Sequence, residues 1–551
     1  MGPVTRGPNG PPSWRLAAPL AAATQGLVAS GFADLPYGRA LFLEFGWAAG
    51  VKGGAWLAAL NAVARISDAT PAAGEARSAA LAFTWTGLAK MGLGEPALDS
   101  FARPFREGML QEDRLRRLGD KRSGKWLETV VDGGPRWSAN TPLFDPTQSE
   151  TATPDAFAVA SVDKPEVETM TPVTVHALLL LYTRGADGSD AWAAEVAAAL
   201  TPAGVAVVHT LDLLLDVEAA GISREHFGFA DGLSQPKPYG APIPIDETAL
   251  VVIDGQPAAK DPVQGIPLGE IVIGYQNGHG EPAPGPVVPR EIGGDPSAID
   301  PRPGAAGLPD HRQAEGFADF GRNGSYLVVR ELKQDIAAFW TSVAREAERQ
   351  RAADPTATHV TPDWIAERII GRGRDGHLLC PGGYLSADAF GLPDNGYVFR
   401  ERDPHGVGCP AGSHVRRAYP RDALAPQPTA DSRATLLQAA NNHRILRRGR
   451  KFGPKAADPL TDDGADRGLL FMCLNTDIAR QFEFVQQTWL LNASFATLFG
   501  ETDPLLGPAG PMTIRETPLR RTVSVETYVR MAGGDYFFLP SIPALRYLAL
   551  L

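Results

Sequence analysis

The chain alternates between short apolar runs and longer stretches with helical periodicity. The apolar runs predict strands at residues 39–46, 78–86, 155–162, 175–183, 205–211, 325–332 and 468–475. Apolar positions three and four residues apart predict helices at 54–66, at 190–200, from Ile336 onward and at 478–491. Strands interleaved with single helices are typical of an α+β fold in which helices cover one face of a sheet.

A stretch rich in Pro, Gly and Asp between residues 277 and 312 separates two halves with the same kind of pattern. It predicts a long surface loop or an interdomain connection. The resulting division is a leader without a core at 1–24, a first α+β domain at 25–275, the loop or linker at 276–315 and a second α+β domain at 316–551. No sequence repeat relates the two halves.

Charge and composition narrow the class of protein. The formal net charge of −11 argues against binding to nucleic acid or to an anionic membrane, because both require a basic surface. No stretch reaches the roughly 18 consecutive apolar residues of a membrane span, and the N-terminus lacks the apolar core of a signal peptide. The three cysteines are widely spaced and include no CxxC pair, which disfavours a disulfide framework or a structural zinc site. These features predict a cytoplasmic enzyme.

Three short segments concentrate the residue types that carry chemistry. HFGFADGLSQP sets Asp231 between two glycines, where the backbone can bend tightly or approach a flat ligand. CPAGSHVRRAYPRD places His414 before two arginines, and HRILRRGRKFG places Arg447 and Arg448 before a glycine. Taken singly, each segment has an ordinary structural interpretation. Asp-Gly is a common turn, and a lone histidine or a basic run is usually structural or solvated.

Together the three segments resemble the dye-decolorising peroxidases, a family of haem enzymes. GFADG matches the GxxDG motif of that family, GSHVRR is similar to its proximal-histidine segment, and RILRRG is similar to the segment that bears its distal arginine. The order of the segments along the chain also agrees. The likeness extends over most of the chain and suggests one of the longer branches of the family. It implies an α+β fold of two ferredoxin-like domains with antiparallel sheets, arranged like a dimeric α+β barrel.

The resemblance also implies roles for individual residues toward haem b. His414 is expected to be the axial ligand of the iron, because it alone stands in the GSHVRR position. Asp231 matches the residue that moves a proton between the two oxygens of the peroxide. Arg447, two places before the glycine, matches the residue that stabilises the developing negative charge. The other residues of the GxxDG turn are expected to bind the haem: Gly228, Phe229, Ala230 and Gly232.

Two further assignments have structural alternatives. A proximal histidine usually donates its second ring nitrogen to a carboxylate. Glu483, in RQFEFVQ, is the candidate for that carboxylate, with Asp477 behind it; the alternative for both is a surface salt bridge. Arg416 is a candidate to pair with a haem propionate, and its alternative is a solvated arginine.

The sequence departs from the family pattern at two places. Tyr419-Pro420-Arg421 stands where the family often has Asn-Pro-Arg, which puts a hydrogen bond of that asparagine in doubt. Phe452 stands where many relatives have tyrosine, so a tyrosyl route to the surface is missing at this position. The sequence does not select another tyrosine or tryptophan for that purpose.

The predicted activity is therefore the reduction of hydrogen peroxide and the oxidation of organic one-electron donors, such as dyes and phenolics, through a ferryl intermediate. The expected partners are hydrogen peroxide and small organic reductants, with no nucleic acid and no membrane, and a homo-oligomer is left open. The alternative is a haem-binding or haem-handling protein with little turnover. Such a protein needs His414 but neither Asp231 nor Arg447.

Overall fold

The computed structural model of this chain describes residues 13–47, 53–70, 74–122, 125–126, 135–139, 173–217, 222–240, 249–290, 307–427, 429–516 and 520–551. The predicted strand at 155–162 lies outside these residues.

Four strands of the N-terminal half form an antiparallel sheet. They are β1 (Tyr37–Phe45), β2 (Arg77–Phe83), β3 (Ala177–Thr183) and β4 (Val205–Leu214). Their order across the sheet is β2-β3-β1-β4. Helices α1 (Ala55–Val63) and α2 (Ala186–Leu200) cover one face, with Trp56 and Trp192 buried against the strands. The strands and helices predicted for the described part of this half are confirmed, with bounds that shift by a few residues.

The C-terminal half repeats this arrangement. Its strands are β5 (Ser325–Gln334), β6 (Leu446–Arg447), β7 (Arg450–Phe452), β8 (Gly468–Asn475), β9 (Gly510–Arg515), β10 (Arg520–Val525) and β11 (Val529–Leu539). Its main helices are α3 (Ile336–Ala353), α4 (Pro362–Ile370), α5 (His414–Ala418) and α6 (Ala430–Asn441). The sheet order is β7-β8-β5-β11, with β6 beside β8, while β9 and β10 form a separate hairpin.

The segment predicted as a helix at 478–491 is helical, but with wider turns than expected. It forms two π-helical stretches, Ala479–Glu483 and Val485–Leu490. Apolar periodicity shows that such a stretch is helical and which face is buried. It does not separate an α-helix from the slightly wider π-helix.

The two sheets join edge to edge into one closed antiparallel sheet. β2 pairs with β11 at Phe83 and Phe538, and β4 pairs with β7 at Leu213 and Phe452. β5 pairs with both β8 and β11, which completes the ring. Within each half the strand order is that of a ferredoxin-like unit. The predicted fold class is confirmed, whereas the domain boundaries stay a prediction.

Side chains alternate between the inside of the closed sheet and its outer face. One inner cluster collects apolar residues from strands of both halves, among them Phe42, Leu180, Val329 and Phe537. The alternate positions of the same strands pack against the helices. The sheet is therefore filled on the inside and covered on the outside, as a barrel of this size requires.

β6 shows how this alternation places a charged residue. Leu446 belongs to the inner cluster, so its neighbour Arg447 lies on the outer face. Arg447 pairs in the ladder with Cys473 of β8, which belongs to the outer cluster. The predicted site consequently lies outside the barrel, on the sheet of the C-terminal half.

The described part of the predicted leader is integrated into the fold. Leu16 and Leu20 are buried in the inner cluster, and Arg15–Leu16 pairs with the short strand Val251–Ile253. Residues 13–24 thus pack onto the core of the domain that follows, and the predicted division of the chain at residue 24 stays a prediction. Two large apolar side chains are too few to form a core, but they suffice to extend one that the strands have already built.

Short elements connect the main ones. Val287–Pro289 pairs with Phe317–Asp319, which joins the two ends of the Pro- and Gly-rich stretch; residues 291–306 lie outside the described part. Further helices are Ala18–Ala23, Gly26–Ala29, Trp85–Lys90, Glu95–Asp99, Arg103–Glu107, Glu112–Arg117, Phe399–Arg402 and Ile542–Leu548. None of the helices in the described ranges combines the length and apolarity needed to cross a bilayer.

Candidate active site

The GFADG turn presents Asp231 from a short strand. Ala230–Asp231 pairs antiparallel with Ser223–Arg224. Gly228 and Gly232, on either side, have φ angles of 94° and 75°, a left-handed conformation that favours glycine. The N–H of Gly232 donates to Asp231 Oδ1 at 2.6 Å, which orients the carboxylate. The two glycines of the motif thus have a conformational function in this turn.

Arg447 faces this carboxylate. Its Nη2 lies 3.9 Å from Asp231 Oδ1, and the two side chains are 32% and 38% exposed. Gln235 fixes the backbone of Arg447, because its side-chain amide accepts the Arg447 N–H and donates to the Arg447 carbonyl, each at 3.1 Å. The guanidinium makes no hydrogen bond to any residue in the described ranges. Its N–H groups are therefore available to a small ligand beside Asp231.

Arg448 points elsewhere. Its Nε donates to the carbonyl of Leu27 at 2.7 Å and its Nη2 to that of Val28 at 2.6 Å. Burial lowers the pKa of Arg448 to about 10. Arg448 therefore anchors the N-terminal segment, and of these two neighbouring arginines the structure brings Arg447 to Asp231.

His414 begins α5 and is held by a buried carboxylate. Asp503 has no exposed surface, and its two oxygens lie 3.2 and 3.0 Å from His414 Nδ1. Asp503 Oδ1 also accepts the N–H groups of Leu505 and Leu506 at 3.0 and 2.8 Å. Burial alone would raise the pKa of Asp503, but His414 and these hydrogen bonds lower it below its ordinary value. Nδ1 of His414 is thus engaged, whereas Nε2 has no hydrogen-bond partner among the described residues.

Glu483 does not contact His414. Its carboxylate accepts a hydrogen bond from Arg114 Nε at 2.5 Å and another from the Tyr536 hydroxyl at 2.7 Å. Asp477 instead accepts the backbone N–H of Arg480 at 3.0 Å. The prediction that Glu483, backed by Asp477, is the carboxylate partner of the proximal histidine is therefore wrong. Helical periodicity indicated which face is buried but not which polar groups meet it.

Arg416 is also engaged within the protein. It is buried, and its Nη1 donates to the carbonyls of Asp403 and Cys409 at 3.0 Å each. The prediction that it pairs with a haem propionate is wrong for this conformation, because the guanidinium is enclosed by protein. Phe229 is likewise buried and lies parallel to Trp340, with ring centroids 6.4 Å apart. Its ring therefore packs against α3 and does not line an open site.

The GFADG turn and the segment before His414 contact the same short loop. This bridging loop, residues 371–376, follows α4 directly. The N–H of Ala230 donates to the carbonyl of Arg374 at 2.9 Å. At the other end, a methyl group on Gly371 would lie 2.7 Å from Ser413 Oγ, so the two segments touch. The bridging loop therefore fixes the turn that bears Asp231 relative to the helix that bears His414.

Two titratable groups form hydrogen bonds with backbone atoms at or near the GFADG turn. The Glu225 carboxylate accepts the N–H groups of Phe227 and Phe229 at 2.8 Å each. Burial raises the pKa of Glu225 to about 7, against the opposing effect of these hydrogen bonds. The neighbouring His226 donates Nε2–H to the carbonyl of Phe452 at 2.8 Å. Burial lowers the pKa of His226 to about 4, so its ring is neutral near pH 7.

Asp503 is the candidate functional residue that sequence reasoning missed. It stands in ETDPLLG, where Asp-Pro is typical of a turn, and its carboxylate does bind the backbone of that turn. Its second contact, with His414, joins residues 89 positions apart. No local pattern in the sequence signals a contact of that kind.

The chain is similar in sequence to peroxidases. A search of protein-family models finds no match. Among curated proteins, the chain is 28% identical to the Multifunctional dye peroxidase DyP2 of Amycolatopsis sp. over 393 residues, which are 68% of this chain and 71% of that protein. It is 27% identical to a dye-decolorizing peroxidase of Mycena epipterygia over 364 residues, covering 59% of this chain but only 57% of that relative.

Solved structures share the fold along nearly the whole chain. A DyP-type peroxidase of Anabaena sp. superposes with a TM-score of 0.63 at 20% identity, over 96% of this chain and 95% of that one. A dye-decolorizing peroxidase in complex with 2,6-dimethoxyphenol gives a TM-score of 0.61 at 22% identity, over 97% of this chain and 100% of that one. The architecture described above is therefore that of these enzymes.

The raised pKa of Glu225 predicts a pH dependence of stability. Because its pKa is about 7 in the folded state against 4.5 ordinarily, the folded state binds more protons than the unfolded state between these values. The contribution of Glu225 to stability should therefore fall as pH rises from about 4.5 to about 7. Glu225→Gln should remove this contribution. Between pH 4.5 and pH 7 the free energy of unfolding of the variant, relative to that of the parent, should therefore increase by about 1–3 kcal/mol. Melting temperatures at pH 5, 6, 7 and 8 measure the effect.

The exposed Glu281 provides the matched control for this experiment. The melting temperature of Glu281→Gln should change with pH in the same way as that of the parent. If Glu225→Gln also runs parallel to the parent, Glu225 does not titrate in the enclosed position described here.

Proposed function

We propose that this chain belongs to the family of dye-decolorising peroxidases, that it binds haem through His414 and that it activates hydrogen peroxide with Asp231 and Arg447. A dye-decolorizing peroxidase with a haem pocket superposes on this chain with a TM-score of 0.63. The chain is accordingly a peroxidase that reduces hydrogen peroxide and oxidises organic donors such as dyes and phenolics.

The haem assignment depends on the hydrogen bond between His414 and Asp503. A haem ligand must offer one imidazole nitrogen to the iron while the other nitrogen donates to an acceptor. His414 meets both conditions, since Nδ1 lies 3.0 Å from a buried carboxylate oxygen and Nε2 has no hydrogen-bond partner in the described ranges. Bound haem would supply an iron with an open coordination position for peroxide. Haem b is the proposed form, because the sequence contains no CxxCH motif for covalent attachment.

Asp231 carries the proton during peroxide cleavage. Oδ1 already accepts the N–H of Gly232, which leaves Oδ2 as the oxygen that takes the first proton of peroxide. The same oxygen returns this proton to the outer peroxide oxygen, which leaves as water. Arg447, with Nη2 3.9 Å from Asp231 Oδ1, places a positive charge where negative charge develops on the departing oxygen. Gln235 holds the backbone of Arg447 and so limits how far the guanidinium can move.

The alternative function, haem binding with little turnover, makes no use of this carboxylate–guanidinium pair. A partly exposed charge pair at the outer face of the sheet, with unoccupied N–H groups, favours a reaction over storage. The test is an absorption spectrum of the purified protein before and after hydrogen peroxide, followed by addition of a dye. A haem spectrum with no peroxide-dependent bleaching would support the alternative.

The cytoplasmic location and the absence of a nucleic-acid partner stay predictions from the sequence. The sequence also leaves open whether the chain forms a homo-oligomer. The net charge of −11 supports the absence of a nucleic-acid partner.

Replacing His414 should abolish stable haem binding. His414→Ala removes the proposed axial nitrogen, so the purified variant should show less than about a tenth of the parent's haem absorbance per chain. The exposed His405 offers a matched control, and His405→Ala should retain the parent spectrum. A His414→Ala variant with an unchanged histidine-ligated spectrum would assign the iron to another residue.

Replacing Asp503 should change how His414 holds the haem, whereas replacing Glu483 should not. Asp503→Asn keeps a hydrogen-bond acceptor for His414 Nδ1 but removes the charge, and loss of such a partner typically reduces metal affinity or activity about 10–100-fold. Haem dissociation rates and the rate of reaction with peroxide measure this effect. Glu483→Gln is the comparison, since it disturbs only the contacts with Arg114 and Tyr536. The pairing described here is contradicted if Glu483→Gln changes both rates and Asp503→Asn changes neither.

Arg447 should accelerate the reaction with peroxide, whereas Arg448 should stabilise the fold. Arg447→Leu removes a charge that stabilises a developing oxyanion, which typically slows such a step by about 10²–10³-fold. Stopped-flow absorbance after mixing with hydrogen peroxide measures the rate. Arg448→Leu removes the hydrogen bonds to Leu27 and Val28 and should lower the melting temperature while keeping the peroxide rate. An unchanged rate in Arg447→Leu would contradict the proposal that Arg447 stabilises the developing negative charge.

A further inference from the structure

A surface cavity of about 400 Å³ lies between the β9–β10 hairpin and a segment that follows the second π-helical stretch. One wall is formed by Thr513, Arg515, Arg520 and Thr522 of the hairpin, and the other by side chains of the 497–501 segment. We call this space the hairpin cavity. Its volume lies in the range of small-molecule sites, about 300–1,000 Å³. The proposed haem and peroxide residues, all within the described ranges, do not line it, so it is separate from the candidate active site.

The hairpin presents two positive charges to this cavity. Successive residues of a strand face opposite sides, and the apolar residues of β9 and β10 are buried in a core cluster. The alternate positions face the cavity, and there Arg515 lies directly opposite Arg520 in the ladder. Like charges in directly opposed positions destabilise a hairpin. Neither guanidinium has a hydrogen bond or an ion pair with a residue in the described ranges, so both are available to an anion.

The opposite wall of the cavity exposes an aromatic ring. Phe499 is 90% exposed, more than any other large apolar side chain in the part of the chain that the structure describes. The preceding Leu498 is partly buried and lies against Gly412, where a methyl group on the glycine would be 3.4 Å from Leu498 Cδ1. The segment is thus anchored by Leu498, while the ring of Phe499 stays in water beside the cavity. A flat aromatic ligand would cover this ring and gain stacking contact with it.

Two nearby carboxylates are already engaged by other groups. Glu501 lines the cavity but is only 7% exposed, and its oxygens accept the backbone N–H and the hydroxyl of Thr513 at 2.8 and 2.6 Å. Glu516, the residue after β9, bonds to His359 Nε2 at 2.6 Å and to Arg521. Two arginines and one hydrogen-bonded carboxylate therefore line the cavity, which leaves it positively charged on a chain of net charge −11. A local positive potential of this kind attracts anions.

We propose that the hairpin cavity binds a small aromatic carboxylate, whose charged group contacts Arg515 and Arg520 and whose ring lies against Phe499. A guanidinium suits a carboxylate because two parallel N–H groups match the two oxygens. Both features of the ligand are needed, since the ring covers Phe499 and the negative charge offsets the repulsion between the arginines. This inference goes beyond the proposed peroxidase function, because binding at this cavity uses neither haem nor peroxide.

Melting temperatures test the repulsion between the opposed arginines. Arg515→Gln removes one of two like charges in directly opposed positions, so without ligand the variant should melt at the same temperature as the parent or higher. Saturating 2-naphthoate should raise the melting temperature of the parent above that of the variant, because a ligand that binds only the folded state stabilises it. A parent whose melting temperature does not respond to 2-naphthoate would contradict the proposal.

Isothermal titration calorimetry of the resting holoenzyme with 2-naphthoate tests the site directly. The neutral 2-naphthamide and the non-aromatic cyclohexanecarboxylate should each bind at least about tenfold more weakly than 2-naphthoate. Arg515→Gln and Arg520→Gln should each weaken 2-naphthoate binding by about tenfold or more, since each removes a hydrogen bond to a charged group. The matched control is Arg402→Gln, which alters an exposed arginine outside the cavity and should keep the affinity of the parent.

Ionic strength provides a second measure of the charge interaction. The affinity for 2-naphthoate should fall as salt is added, because both guanidinium groups are exposed and salt screens exposed charges. The affinity for 2-naphthamide should not respond in this way. The proposal is overturned if the parent does not bind 2-naphthoate, or if a variant with both arginines changed to glutamine binds it as tightly as the parent.

The exposed ring has a different explanation if Phe499 contacts a second copy of the chain. Phe499→Ser should weaken 2-naphthoate binding about five- to tenfold, whereas Phe390→Ser, which alters another exposed ring outside the cavity, should not. Sedimentation velocity at several protein concentrations measures self-association in the same variants. A dimer that dissociates in Phe499→Ser, together with an unchanged affinity for 2-naphthoate, would assign the ring to self-association and overturn the proposal.

Arg447 is the competing site for an anion, and it separates this inference from the proposed function. Arg447→Leu should keep the affinity of the parent for 2-naphthoate, because Arg447 does not line the hairpin cavity. Saturating 2-naphthoate should likewise leave the rate of reaction of the parent with hydrogen peroxide unchanged. An affinity that is lost in Arg447→Leu but kept in Arg515→Gln would place the ligand in the candidate active site and overturn the proposal. The titrations contain no peroxide, so their outcome does not depend on whether the protein is a peroxidase.

Discussion

The register of β8 determines where the candidate site lies. β8 pairs with β5 along its length and with β6 through the Arg447–Cys473 position. Successive residues of a strand face opposite sides, so a slip of β6 by one residue would turn Arg447 inward and Leu446 outward. A guanidinium at the inner position of Leu446 would lose its hydration among apolar side chains, and burial of an unpaired charge costs about several kcal/mol. This register therefore keeps a cation on the outer face, opposite Asp231.

A second constraint acts around His414. Asp503 is removed from water and is compensated by three donors: one from His414 and two backbone N–H groups of its own turn. Its ionised form accepts a hydrogen on Nδ1 of His414, which selects the tautomer whose Nε2 carries the lone pair. The bridging loop then ties this side to the turn of Asp231 through the backbone. Two independent elements of fixed geometry are thereby held by one short segment.

Much of the fold, but less of the site, could be predicted from the sequence. Short apolar runs were enough to find β1 and β8, because such strands are buried in the core whatever their neighbours are. Asp231, His414 and Arg447 could be proposed as site residues because they stand in short contiguous motifs. Glu483 and Asp503 were not distinguished, since partner choice between distant segments depends on tertiary packing. Arg416 illustrates the same limit, because the sequence shows its charge but not the two carbonyl groups that enclose it.

The pairing of Phe83 with Phe538 has a consequence for biosynthesis. The ring of strands cannot close until the last strand, β11, has left the ribosome. At typical rates of synthesis, β2 and β4 wait about tens of seconds with their outer edges unpaired. Such free edges are templates for pairing with other chains. Nascent chains of this protein are therefore more exposed to aggregation, and more dependent on chaperones, than the mature closed sheet would indicate.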